Sequence, residues 1–343
     1  MIRIRQIKVN LDSNNLKDKI LSRLKIKNDE LIDFKINKRS IDARFKPILY
    51  YIYEVDVTLK NEDKILKNNK DKDILKTPID NYNFEPNNKN TKKNIVVVGM
   101  GPAGLFTSYM LLKYGYKVII IERGEKVEDR VKTVEKLFST GILNTESNVQ
   151  FGEGGAGTFS DGKLNTLIKD KEGRIKLVLE TFVKFGAPKE ILYDSKPHIG
   201  TDILINVIKN MREYIISKGG KFLFNTKVID FEIKENIIKG VYCKNQNKES
   251  FIDCDNVILA IGHSSRDTFE KLYSKGINME KKNFSVGLRI EHLQSDINRA
   301  QYGSITKLKL PSADYKLAYH SPTGRSCYTF CMCPGRSCCW FFK

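Results

Sequence analysis

Six consecutive residues, Gly99-Met100-Gly101-Pro102-Ala103-Gly104, carry the clearest chemical signature in this chain. They follow an apolar run at residues 95–98 and open a second apolar run of helical length. In a strand–turn–helix unit, the first glycine permits a tight turn, the second lets the backbone approach a diphosphate, and the third allows close helix–strand packing. Free N–H groups at the helix start favour an anion. The pattern therefore predicts a dinucleotide site.

Glu122 stands where a second strand, residues 117–121, should end, about 20 residues beyond the glycines. An acidic residue at this place binds ribose hydroxyls in dinucleotide-binding βαβ units. We therefore expect Glu122 to bind the ribose. The glycine pattern and this acid together do not distinguish NAD from FAD.

Two later segments favour FAD. The first is a glycine-rich run at residues 151–163, in which Gly154 and Gly155 leave backbone N–H groups free to face an anion or a flavin ring. Thr158 and Ser160 add hydroxyl donors to this run, and the alternative is a flexible surface loop. The second is an apolar strand at residues 257–262, where the small residues Ala260 and Gly262 would let a cofactor lie against the sheet edge; the alternative is a plain core strand.

The pattern from residue 94 onward predicts an α/β domain. Residues 95–98 and 117–121 read as parallel strands, with a buried helix at 102–114 between them. An amphipathic helix at 202–219 precedes strands at 221–223, 228–233, 237–243, 250–253 and 256–261. The middle strands of this series are expected to form a meander inserted before the last parallel strand.

The N-terminal region predicts a small α+β domain, because residues 2–9 and 48–59 have strand patterns and residues 16–24 have helical spacing. The basic segment at 38–44 suggests a solvated turn or edge strand, with a binding site as the alternative. Residues 61–93 are rich in Lys, Asn and Asp and are interpreted as a linker.

The net charge of +18 is spread along the chain, with +8 in residues 1–93. A basic protein can bind nucleic acid, but Lys outnumbers Arg 45 to 14, and Arg is the better side chain for reading phosphates and bases. We therefore do not expect nucleic acid as the partner. The uncharged residues 95–112 contain glycines and a proline, which favours a strand–turn–helix over a membrane span. Without a secretory pattern at the start, the expected location is the cytoplasm.

Eight motifs carry a resemblance to a known family: SIDAR at 40–44, GMGPAGLF at 99–106, ERG at 122–124, FGEGGAGTFSDGKL at 151–164, HIGTD at 198–202, LAIGHSSRDT at 259–268, FSVGLRIEH at 284–292 and FCMCPG at 330–335. Through them the chain resembles the NAD(FAD)-utilising dehydrogenases, flavoproteins of the glutathione-reductase-type FAD fold. The resemblance implies FAD as cofactor and an oxidoreductase reaction without a known substrate. It also implies that Arg123 joins the site and that the backbone near Val228 meets the adenine.

The tail after Gly335 departs from the family pattern, which continues with small and apolar residues. Codons that encode residues 336–343 can, when read one base later, encode Gly-Leu-Val-Val-Gly-Ser-Ser, which resembles the family continuation. We hypothesise a frame slip and a truncated C-terminus. The rival is a metal site made from the crowded cysteines, whose spacing does not match structural zinc sites, so no metal is expected. The rival set is His320, Cys327, Cys331, Cys333, Cys338 and Cys339.

The expected fold is α/β: a Rossmann-like FAD-binding domain with a meander (94–165 and 198–269), an incomplete substrate domain (166–197 and 270–343), the α+β domain (1–60) and the linker (61–93). The expected function is that of an FAD-dependent oxidoreductase acting on a small molecule, with NAD(P)H as a candidate electron donor. A flavin-containing RNA-binding or RNA-modifying protein and an inactive fragment are the alternatives. Catalytic residues and the oligomeric state stay unassigned.

Overall fold

The computed structural model describes residues 1–78, 82, 93–159, 162–164, 166, 168, 170, 172–303, 310–330 and 332. Its N-terminal unit contains β1 (Ile2–Asn10), α1 (Leu16–Leu24), β2 (Leu31–Asp42), β3 (Tyr50–Leu59), α2 (Glu62–Asn68) and β4 (Ile74–Lys76). The four strands form an antiparallel sheet in the order β2-β3-β1-β4. This confirms the strand and helix patterns predicted for the first 59 residues.

The β1 strand keeps its apolar side chains on one face although their spacing changes. Ile2, Ile4, Ile7 and Val9 are all buried, and the pairing with β3 shifts register between Ile4 and Ile7. A bulge adds one residue, so the period-2 alternation resumes on the same face. Ile20, from α1, covers this face and completes the core.

Part of the segment expected to be a linker belongs to this sheet. Residues 62–68 form α2, and β4 pairs antiparallel with β1, with Ile2 opposite Lys76. The interpretation of residues 62–76 as linker was therefore wrong. A three-residue strand with one buried side chain, Ile74, offers too little periodicity to be recognised in a polar sequence.

The second unit contains a parallel sheet in the order β11-β5-β6-β7. Its strands are β5 (Asn94–Val98), β6 (Lys117–Ile121), β7 (Lys221–Leu223) and β11 (Asn256–Leu259), and its helices include α3 (Pro102–Lys113), α4 (Val127–Thr140) and α6 (Thr201–Ser217). In β5, Ile95 and Val97 pack with α3 and α6, whereas Val96 and Val98 face the core on the other side. Both faces are covered, which explains why this strand is apolar throughout.

The predicted meander is present. Strands β8 (Thr226–Lys234), β9 (Ile237–Asn245) and β10 (Lys248–Asp253) form an antiparallel sheet, and the chain then returns as β11, parallel to β5. Phe231 and Val241 of the meander pack against the β5 face that carries Val96 and Val98. The mixed α/β fold with a parallel sheet is therefore confirmed.

Helix α5 (Arg174–Lys184) packs on the helical side of the parallel sheet, although its segment was expected to belong to a substrate domain. Phe182 contacts Phe106 edge to face at 5.2 Å, and Phe185 contacts Tyr109 in the same manner at 5.8 Å. The region beyond β11 contains α7 (Arg266–Ser274), α8 (Gln294–Tyr302) and a small hairpin, β12 (Ala318–His320) with β13 (Ser326–Tyr328). Within the described ranges, no helix is long and apolar enough to cross a membrane.

Candidate functional site

The first and third glycines of the motif, Gly99 and Gly104, allow β11, the turn after β5 and α3 to pack closely. Gly99 has a positive φ of 95°, and its N–H donates to the carbonyl oxygen of Ile121 at 2.8 Å. A side chain at Gly99 would clash with the backbone of Ala260, and one at Gly104 would clash with the carbonyl of Gly99. The first and third glycines of the motif are therefore required by the close approach of β11, the turn and α3.

The second glycine, Gly101, lies at the open end of α3. It is the N-cap with an extended backbone, φ −70° and ψ −175°, and no side chain caps the helix. A Cβ at Gly101 would meet only the Cα of Gly155, at 3.8 Å. Pro102 is the first helical residue, and both Pro102 and Ala103 are exposed. The first-turn N–H groups of a helix have no intrahelical partner, so this end can receive an anion.

The Glu122 carboxylate is buried and joins three parts of the site. It accepts the backbone N–H groups of Met100 at 2.7 Å, Gly124 at 2.9 Å and Gly152 at 3.1 Å. An ionised carboxylate can accept about four hydrogen bonds. The three described bonds therefore leave capacity for one further donor such as a ribose hydroxyl.

The glycine-rich segment lies against the turn at α3. The expectation that the N–H groups of Gly154 and Gly155 are free was wrong. The Gly154 N–H donates to the carbonyl of Met100 at 2.8 Å, and the Gly155 N–H donates to the carbonyl of Gly152 at 3.0 Å. A Cβ at Gly155 would come within about 3 Å of the Cα of Gly101 and the Cδ of Pro102. Both glycines have positive φ, 84° and 68°, so their backbone conformation also favours glycine.

The buried side chain of Arg130 holds the glycine-rich segment in place through hydrogen bonds to its backbone. Arg130, on α4, donates to the carbonyl oxygens of Asn148, Val149, Gly152, Glu153 and Gly155, at 2.6 to 3.2 Å. It is fully buried, and its guanidinium lies 4.7 Å from the centre of the Phe159 ring. Burial lowers the pKa of Arg130 to about 10, which still leaves it protonated at neutral pH.

The buried ion pair of Glu153 and Arg212 lies next to Arg130, which donates to the Glu153 carbonyl. The Glu153 carboxylate accepts the N–H of Val127, at the start of α4, at 2.8 Å and also forms an ion pair with Arg212. Arg212 pairs with Glu128 as well. Burial raises the pKa of Glu153 to about 7, against the opposing effect of these donors.

Arg123, the residue after Glu122, is surrounded by the carboxylates of Glu146 and Asp267. Its guanidinium pairs with both oxygens of Asp267 at 3.0 and 3.1 Å, reaches Glu146 at 2.7 Å, and stacks 4.3 Å from the Phe151 ring centre. Lys227 also pairs with Asp267. Burial opposes ionisation of Asp267, but the hydrogen bonds from Arg123 and Lys227 outweigh it and hold its pKa below the usual range.

The remaining predicted site residues are placed as follows. Ala260 lies beside Gly99, and its N–H donates to the carbonyl of Val98 at 2.8 Å. Thr158 is buried with no described partner for its hydroxyl. Val228, on the meander strand β8, packs in the core with Val96 and Val98 of β5. Gly262 has a φ of 67°, and a Cβ there would have no neighbour within 4 Å. Ser160 lies outside the described residues.

The cysteine-rich tail cannot be placed as a site. Cys331, Cys333, Cys338 and Cys339 lie outside the described residues, as do Gly335 and the tail of the frame-slip hypothesis. Cys327 is exposed. Across the parts of the chain that the structure describes, no three His, Cys, Asp or Glu side chains are grouped to hold a metal ion.

The model of the FAD binding domain family matches residues 92–267, which include β5, the glycine turn, α3 and β6. The chain belongs to the FAD binding domain family. FAD is therefore its cofactor. A C-terminal domain-like model of FAD-dependent proteins matches residues 283–338, and a domain of unknown function matches residues 1–58.

The relatives of this FAD binding domain protein include an "Uncharacterized protein" from Clostridium beijerinckii, 46% identical over 339 residues. That match covers 97% of this chain and 62% of the relative, so the chain spans less than two thirds of the relative's length. A D-amino acid dehydrogenase from Helicobacter pylori is 30% identical over 84 residues, covering 24% of this chain and 19% of that protein. Among solved structures, Thermovibrio ammonificans THI4 matches with a TM-score of 0.37 and 17% identity, covering 54% of this chain and 64% of the other.

The residues present fit FAD. The uncapped start of α3 suits a diphosphate, because Gly101 has no side chain to obstruct its approach. Glu122 retains acceptor capacity beside the turn. The subfamily and the individual contacts of the cofactor stay predictions.

Sequence reasoning did not identify Arg130, Glu153 and Arg212. The signal for Arg130 was present, because it shares the apolar stripe of α4 with Val127 and Val134, at helical spacing. A charged side chain on a buried stripe requires a partner. Asp267 was also missed, and 144 residues separate it from Arg123.

Proposed function

We propose that this chain is the cofactor-binding part of an FAD-dependent oxidoreductase and binds the FAD diphosphate at the start of α3. The observation that carries the proposal is the open, uncapped helix N-terminus at Gly101, flanked by the Gly154–Gly155 backbone. Unsatisfied N–H groups and the helix dipole both favour a diphosphate there.

The other residues have roles that follow from their positions. Gly99 and Gly104 give the close packing that places the helix end, and Ala103 leaves its first turn uncovered. Glu122 fixes the turn through Met100 and accepts a ribose hydroxyl. Arg123 would border the adenosine side. Further proposed cofactor contacts come from Pro102, Gly154, Gly155, Thr158, Ser160, Val228, Ala260 and Gly262.

Bound FAD supplies the capacity to accept a hydride or two electrons from a substrate. The protein contributes position and electrostatics: the α3 end holds the diphosphate, and the buried arginines compensate for the carboxylates of Glu122 and Glu153. NAD(P)H is proposed as a candidate electron donor. The reducing substrate is proposed to be a small molecule, without assignment to a class.

The two alternative functions receive no support from the matched families, since neither an RNA-binding protein nor an inactive fragment is indicated by them. The frame slip near Gly335 is a separate hypothesis about the gene. Sequencing the DNA across this codon tests it, because a reading frame without the expected overlapping codons would contradict it.

Absorption spectroscopy tests the proposed function. Purified protein is mixed with FAD, FMN or NAD⁺, separated from free ligand, and its visible spectrum recorded before and after anaerobic addition of NADH or NADPH. The expected result is stoichiometric FAD retention with flavin bands that bleach on reduction. A protein that is folded by circular dichroism, retains no FAD and binds NAD⁺ instead would overturn the proposal.

A further inference from the structure

Arg130 is fully buried, and all its described hydrogen bonds go to backbone carbonyls. Three of the five acceptors, at Gly152, Glu153 and Gly155, lie in the glycine segment that contacts α3, and the other two, at Asn148 and Val149, precede it. A lysine could not form this array, because five N–H donors in a planar fork are particular to arginine.

The direction of these carbonyls fixes the direction of the N–H groups that follow them. In a trans peptide the C=O of one residue and the N–H of the next point in opposite directions. The carbonyls of Gly152 and Glu153 face Arg130, and the following N–H groups donate outward, to Glu125 at 3.1 Å and Met100 at 2.8 Å. These two bonds anchor the segment to the loop between β6 and α4 and to the glycine turn.

The peptide between Gly155 and Ala156 is the third whose carbonyl faces Arg130, and its N–H forms no hydrogen bond with a described residue. The Gly155 carbonyl accepts from Arg130 at 2.9 Å, so the N–H of Ala156 points away from the guanidinium. Ala156 is exposed, and its N–H donates to no described residue. Gly155 lies against Gly101 and Pro102, so this free donor is adjacent to the uncapped end of α3.

We infer that Arg130 is a positioning residue that turns the Ala156 N–H toward the FAD diphosphate, as a donor added to those of α3. This inference rests on the proposed function and extends it to a residue that does not touch the cofactor. Arg130 also places a buried positive charge behind the segment, near the carboxylates of Glu122 and Glu153.

Hydrogen exchange of the unmodified protein, measured by NMR with and without FAD, separates the inference from the function on which it rests. The expected result is slower exchange of the amides of Ala103, Gly104 and Ala156 when FAD is added. Slower exchange at α3 with no change at Ala156 would overturn the inference alone. No change at either place would overturn the proposed FAD site as well.

Arg130→Lys tests the role of the guanidinium, with Arg3→Lys in the N-terminal sheet as the matched partly buried control. We expect FAD affinity to fall at least about tenfold and the preference for ADP over adenosine to fall with it, because these two ligands differ by the diphosphate. A purely structural effect would weaken ADP and adenosine equally, and that result would overturn the inference, as would unchanged FAD affinity. If Arg130→Lys does not fold, the exchange experiment still decides.

Discussion

The Glu122 carboxylate accepts the backbone N–H of Met100 at 2.7 Å, which ties the end of β6 directly to the glycine turn after β5. The same side chain also accepts from Gly124 and Gly152. A residue expected from its spacing to bind ribose is therefore also the buried acceptor around which the site is built. Its substitution should affect both stability and cofactor binding.

Glu122→Ala is expected to lower the free energy of unfolding by about 3 kcal/mol, because three N–H groups lose a buried acceptor. Glu122→Gln retains one acceptor oxygen and should lose less stability, while both variants bind FAD more weakly than the wild type. Urea unfolding and FAD titration measure the two effects. Wild-type stability in the alanine variant would show that the three hydrogen bonds do not support the site.

Gly104→Ala should be strongly destabilising, by about 2 kcal/mol or more, because the added methyl group meets the carbonyl of Gly99 and neither backbone can move freely. Gly287→Ala is the control, since a Cβ there has no neighbour within 4 Å. Thermal unfolding of the two variants checks the difference. Equal melting temperatures would contradict the close packing of α3 on β5.

Glu153 should make stability depend on pH. Its pKa is raised from 4.5 to about 7 by burial, so between these values the unfolded chain releases the proton while the folded chain retains it. The contribution of Glu153 is present in full below pH 4.5 and is lost as the pH rises toward 7, by up to about 3 kcal/mol.

Glu153→Gln isolates this effect, because the amide oxygen can still accept from Val127 and Arg212 without titrating. The stability difference, wild type minus variant, should decrease as the pH rises from 5 to 8 in urea unfolding experiments. A difference that is constant over this range would show that Glu153 stays ionised throughout and that Arg212 outweighs burial.

The N-terminal unit is joined to the rest of the chain through Arg39. Its guanidinium pairs with both oxygens of Asp194, at 2.7 and 3.0 Å, and lies about 5 Å from the ring centres of Tyr51 and Tyr193. The pair is partly exposed, so a double-mutant cycle with Arg39→Ala and Asp194→Ala should give a coupling energy of about 1 kcal/mol. Additive effects would indicate that the two units are held by other contacts.

Much of the parallel sheet could be predicted from sequence, because the signals were local. The glycine spacing fixes the turn between β5 and α3, and apolar runs flank it on both sides. The meander strands were recognised from alternation and short turns. The expectation that residues 38–44 include an edge strand agrees with β2, which ends at Asp42 at the edge of its sheet.

Several of the parts that were missed depend on long-range contacts or on very short elements, although the helices α4 and α5 were also not predicted. Nothing near Arg39 in sequence indicates Asp194, and nothing near Arg123 indicates Asp267. The strand β4 has three residues and forms because β1 offers an unpaired edge. Arg130 could have been questioned as a charge on a buried stripe, but its five carbonyl partners follow from the folded path of the glycine segment.

The affinity of Gly101→Ala for FAD tests the central claim most directly. Gly101 has an extended backbone that alanine adopts, and its Cβ would meet only the Cα of Gly155 at 3.8 Å, so the variant should fold with wild-type stability. The methyl group would nevertheless stand where the diphosphate approaches α3. We expect unchanged thermal unfolding without FAD and at least about tenfold weaker FAD binding. Equal FAD affinity in the folded variant would contradict a diphosphate site at the start of α3.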